Sequence, residues 1–140
     1  MSTAIKTPDA AVCHLFLYCC FKDGEVKEQE LDNLAGKFAS LNMQQELNFK
    51  DEMIAFRQDR QLITDEDAYL TSLINAINPT NEAALFSYCM ELMLSDELLD
   101  TEEDLLLNRL AVLLSINQEV QAAIRKLIIQ RKVVSTQKFF

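Results

Sequence analysis

Only two glycines and two prolines punctuate this chain of 140 residues, so its turns are expected to be short and its regular elements helical. The good helix formers Leu, Ala, Glu, Gln, Lys and Met are abundant, and β-branched residues are scattered except toward the last helical stretch. The expected class is all-α. With 49% of residues hydrophobic, one domain over 1–140 can bury about two-thirds of its unfolded surface without a disulfide or structural metal. Its core is expected at about 8–132, followed by a short basic tail at 133–140.

Apolar residues recur at helical spacing in seven segments, which predicts a compact bundle of about seven helices. The first covers Pro8 to Phe21, with Thr7 as its cap, Pro8 at its first position and Val12, Leu15, Phe16, Cys19 and Cys20 on one face. The second covers Lys27 to Leu41 and the third Gln45 to Gln58. The fourth, Asp65 to Ile77, opens with Thr64 and Asp67 in capping-box spacing, and the fifth, Pro79 to Leu94, follows an Asn78-Pro79 pair. Thr101 and Asp104 repeat the box ahead of the sixth, Glu102 to Leu114. The seventh, Gln118 to Lys132, should bury Val120, Ile124, Leu127 and Ile128. The first and sixth segments, apolar on most sides, are expected to lie inside.

Charge narrows the functional classes. Net charge is −9, with 22 acidic and 8 basic residues up to Glu119, then 5 basic residues and no acid. Such a body repels nucleic-acid phosphate, and no basic-aromatic stripe accompanies it. The longest charge-free apolar run, Ala10 to Phe21, is about half of what a membrane span needs, so no transmembrane segment is expected. The start "MSTAIKTPD" lacks the pattern of a secretion signal. Cys13, Cys19, Cys20 and Cys89 show no CxxC spacing and read as buried reduced thiols of a cytoplasmic protein.

The chemistry-bearing pattern is three acidic corners. "DGEVKEQE" from Asp23, "DRQLITDE" from Asp59 and "DELLDTEE" from Asp96 begin 36 and 37 residues apart, each with an aliphatic residue three positions on and a glutamate seven positions on. Helix, acidic corner, helix is therefore a candidate pseudo-repeat. Each corner has a purely local rationale: an Asp can bond amides in the turn, and acids in the next helix's first turn meet its positive dipole end. The alternative is ligation of a hard cation, Ca²⁺ or Mg²⁺, by converging carboxylates. EF-hand spacing is absent, because glycine stands second in "DGEVKEQE" and the Asp-to-Glu span is too short. A composite site would draw on Asp23 and Glu30 with Asp96, Asp100 and Glu103, the last two one helical turn apart.

The stretches "LFLYCCFKDGEVKEQELDNL" and "MELMLSDELLDTEEDLLLNRL" together resemble the TerB-like family, named for tellurite resistance, over roughly Ala10 to Arg131. The resemblance implies a compact, all-helical, bacterial and cytoplasmic domain with an acidic cluster that binds divalent cations weakly. It also implies a role in stress responses and membrane-linked complexes rather than catalysis. Carried over residue by residue, the implied ligands are Asp23, Glu25 and Glu30 from the first motif and Asp96 and Glu103 from the second. Glu97 stands where the second motif would have glycine.

An enzyme is not expected. The only histidine, His14, sits among apolar neighbours, and neither GxxxxGK[ST] nor GxGxxG occurs. The second functional class is a metal-independent module that binds protein through the acidic body or the basic "IRKLIIQRKVVSTQKFF" end. That end suits an acidic partner, a second copy of the chain or, peripherally, an anionic membrane surface; it equally complements its own helix dipole.

Overall fold

The computed structural model describes residues 5, 7–22, 28–41, 43, 47–94, 99–138 and 140, with backbone alone at 28–30. Among them lie seven helices and no strand: α1 (Pro8–Cys20), α2 (Glu28–Ser40), α3 (Phe49–Arg60), α4 (Glu66–Ile77), α5 (Glu82–Met93), α6 (Thr101–Leu113) and α7 (Gln118–Gln137). The chain is all-α, as its sparse punctuation indicates. Its contacts divide into two compact units, 1–79 with α1 to α4 and 80–140 with α5 to α7.

In the first unit α1 packs against α2, α3 and α4. Thr7 Oγ1 accepts the Ala10 amide at 3.1 Å, and Pro8 takes the first helical position. Because apolar residues cover the whole circumference of α1, burial does too: every residue from Cys13 to Phe21 is buried. Phenylalanines join the helices. Phe16 stacks on Phe38 with centroids 5.7 Å apart, Phe38 meets Phe49 at 5.6 Å, and Phe21 meets Phe56 at 5.4 Å. Full burial of a Phe side chain contributes about 1.5–3 kcal/mol, so the fully buried Phe16, Phe38 and Phe56 anchor this unit.

In the second unit α5 packs against α6 and α7. Leu85, Phe86, Cys89, Met90 and Met93 of α5, Leu106, Leu107, Leu110 and Ala111 of α6, and Ile128 of α7 are buried. Expected as an inner helix, α6 instead leaves Leu105 and Val112 exposed. All four cysteines are buried, and none is in a disulfide.

Several boundaries differ from the sequence reading, each through a cap. Asn48 Oδ1 accepts the Asp51 amide at 3.1 Å, so α3 starts at Phe49 rather than near Gln45. Asp65, not Thr64, caps α4 through a bond from the Ala68 amide. Asn78 is left-handed with φ 49° and donates its amide to Ile74 O at 2.8 Å. The Asn78-Pro79 pair therefore closes α4 instead of opening α5. The capping box of α6 is Asp100 with Glu103, one residue before the Thr101–Asp104 pair. Finally, α7 continues to Gln137, so most of the expected tail is helix.

Candidate functional site

Asp23, Glu25 and Asp96, three of the six carboxylates expected at a cation site, lie outside the described residues; so does the side chain of Glu30, which stands in the first turn of α2. Asp100 and Glu103 are brought together at the start of α6. Asp100 Oδ1 accepts the Glu103 amide at 2.8 Å, and Glu103 Oε1 accepts the Asp100 amide at 3.2 Å. Those oxygens answer helix-end amides that have no partner within the helix. Glu103 is only 8% exposed. Asp104 lies 3.4 Å from the Arg125 guanidinium at the surface, a pair worth about 0–1 kcal/mol. Among the described residues no group of three His, Cys, Asp or Glu side chains is placed to hold a metal ion.

The second corner, between α3 and α4, is engaged with the end of α1. Glu66 Oε2 accepts hydrogen bonds from Tyr18 Oη and from Lys22 Nζ, the latter at 2.5 Å. Arg60 Nη2 donates to Phe21 O at 2.7 Å while its guanidinium lies 5.1 Å from the centre of the Phe21 ring. This clamp fixes the last turn of α1 immediately before the first acidic stretch. The sequence reading saw Glu66 as the glutamate of the second acidic corner and not as a partner of α1. Its partners lie 44 and 48 residues upstream, and the one linear hint was a Lys directly after an apolar helix.

His14 is fully buried on α1. Its Nε2 lies 2.7 Å from Glu52 Oε2, and since a carboxylate only accepts, Nε2 carries the proton. The ring meets Phe56 edge-on at 6.0 Å. Beside it, burial pushes the Cys13 thiol well above its ordinary range, with the Glu52 charge adding to the rise. A thiol held protonated in this way is a poor nucleophile. His14 is thus a packed core residue, bonded through Nε2 while Nδ1 is buried without a partner, rather than a base facing a substrate.

The seventh helix departs furthest from expectation. Of Val120, Ile124, Leu127 and Ile128, only Ile128 is buried; Val120 is exposed and Leu127 is 57% exposed. The apolar stripe is wider than the surface packed against it. A hollow of about 610 Å³ runs along this helix, lined by Glu91, Leu127, Ile128, Arg131, Val134 and Phe140 among others. Leu127, Arg131 and Val134 follow i, i+4, i+7 spacing and so share one face. No described helix is long and apolar enough to cross a membrane.

Compared with curated proteins and with solved structures, the chain matches none. It does match the family model described as tellurite resistance protein TerB, over residues 9–126, which takes in both acidic motifs, α2 to α6 in full, all of α1 but its first residue and the first half of α7. On that span, most of the 140-residue chain, joined to an all-α fold, the chain belongs to the TerB family.

Proposed function

We propose that this TerB-family domain is a non-enzymatic interaction module that docks a protein partner without needing a metal, through the apolar and basic face of α7. The supporting observation is Leu127: a large aliphatic side chain left 57% exposed beside Arg131, on a helix whose neighbours bury only Ile128. An exposed apolar stripe rimmed by cations suits an amphipathic segment with acidic flanks. A role as an adaptor in stress response or tellurite resistance is in keeping with the family.

The test is affinity capture followed by reconstitution with the purified partner. Leu127→Asp and Arg131→Glu should each weaken binding at least about tenfold, added salt should weaken it further, and chelator should leave it unchanged. Binding that survives both substitutions would discard this face.

The second reading is weak Ca²⁺ or Mg²⁺ binding by Asp23, Glu25, Glu30, Asp96, Asp100 and Glu103. What supports it is that two of those residues, Asp100 and Glu103, stand together at the start of α6. A partner lost with chelator, or a cation-dependent rise in melting temperature abolished by Asp23→Asn and Asp96→Asn, would put that reading first.

A further inference from the structure

We propose that the hollow at the α3–α4 corner binds a small organic cation, a primary amine on an apolar body about the size of a benzene ring. The hollow measures about 260 Å³ and is lined by Asp59, Leu62, Ile63, Ala68 and Tyr69 among others. Leu62, Ile63 and Ala68 give it apolar surface, and two of its lining residues each carry an oxygen, Asp59 Oδ2 and Tyr69 Oη, that is buried without a hydrogen-bond partner. Buried polar atoms in native proteins are nearly always paired. An unanswered carboxylate oxygen and an unanswered phenol, on two residues that line one hollow, are therefore the anomaly to explain.

The two groups restrict the ligand. Ionised Asp59 can only accept, so it calls for a donor, best a charged one. Tyr69 Oη can accept a further N–H, and an aromatic face attracts a cation. Burial pushes the Tyr69 hydroxyl well above its ordinary range and the Asp59 charge adds to that rise, so the phenol stays neutral and does not compete for the positive charge. An anion would meet the charge of Asp59 and of Asp65, another lining residue. A hard inorganic cation needs about six to eight oxygen ligands, and no described group of three candidate ligands exists. A neutral alcohol would leave the carboxylate charge unanswered. An alkyl- or arylalkyl-ammonium satisfies both oxygens and covers Leu62, Ile63 and Ala68 with its body.

Size agrees, since a cavity of roughly 150 Å³ suffices for benzene and the additional volume accommodates a methylammonium arm. The Asp59 carboxylate turns readily about its last torsion, which allows it to meet a bound ammonium. This site lies wholly in the first unit and is independent of the α7 face.

The experiment is titration of the intact protein with benzylamine, followed by amide NMR, with benzyl alcohol as the neutral control. Saturable shifts should concentrate at residues 59–72, and benzyl alcohol should bind at least about tenfold more weakly. Asp59→Asn should abolish that preference for the amine while retaining or raising the melting temperature, because it replaces a carboxylate that has one oxygen buried without a partner. Tyr69→Phe serves as the second variant and should weaken amine binding severalfold. Equal binding of amine and alcohol, a preference that survives Asp59→Asn, or the lack of saturable shifts at the corner would each overturn the proposal.

Discussion

Asp100 shows how a residue chosen for one chemistry can be explained by another. Its carboxylate stands where a cation ligand was sought, and there it caps α6 in a reciprocal exchange with Glu103. Replacing an N-cap Asp by Ala costs about 0.5–2 kcal/mol. Asp100→Ala should therefore lower stability by about 1 kcal/mol in denaturant unfolding, with metal-free buffer giving the same loss. If the loss appears only when Ca²⁺ or Mg²⁺ is present, the residue's main work is ligation instead. His14 agrees with what its apolar neighbours suggest in the sequence: a bond to Glu52 and an edge contact with Phe56 make it part of the packing.

For elements, the informative case is the clamp at the end of α1. Lys22 and Glu66 keep only 17% and 13% side-chain exposure, so their pairing escapes most solvent screening. Glu66→Ala leaves Lys22 and Tyr18 without that carboxylate and should cost ~2–3 kcal/mol, somewhat under the full penalty for breaking a buried pair. Hydrogen exchange at Phe21 and Lys22 should quicken with it, whereas exchange in α7 should not. The seven helices themselves were legible because 3.6-residue periodicity survives in a linear string. Thr7 was legible as the cap of α1, but others only within a residue or two: D-x-x-E and T-x-x-D patterns overlap at Asp100 and Thr101, and the sequence does not say which oxygen reaches an amide. The clamp was not legible, since Tyr18, Lys22 and Glu66 meet across more than forty positions. Neither was the open face of α7, because periodicity reports a stripe's width and not how much of it a neighbour covers.

For the molecule as a whole, two buried acids that resist ionisation should weaken the fold at alkaline pH. Folding raises the Cys13 thiol from its ordinary 9.0 and the Tyr69 hydroxyl from its ordinary 10.0, chiefly by burial. Both groups ionise more readily in the unfolded chain. Their contribution is therefore fully present below about pH 9 and is lost progressively as pH climbs beyond it. Urea midpoints should hold level from pH 7 to about 8.5 and fall above 9, and Tyr69→Phe should flatten part of that fall. An unchanged slope in that variant would show the phenol to be open to water. Net charge of −9 adds a general self-repulsion that moderate salt relieves.

The all-round burial of α1 carries a consequence for how such a chain can vary. Most helices offer drift a wet side, where one polar residue replaces another at little cost. Between Cys13 and Phe21 there is no such side, so acceptable replacements are confined to near-isosteric apolar ones at nearly every position. The passage that leads into the first acidic motif is thus the part of the chain with the least freedom to change.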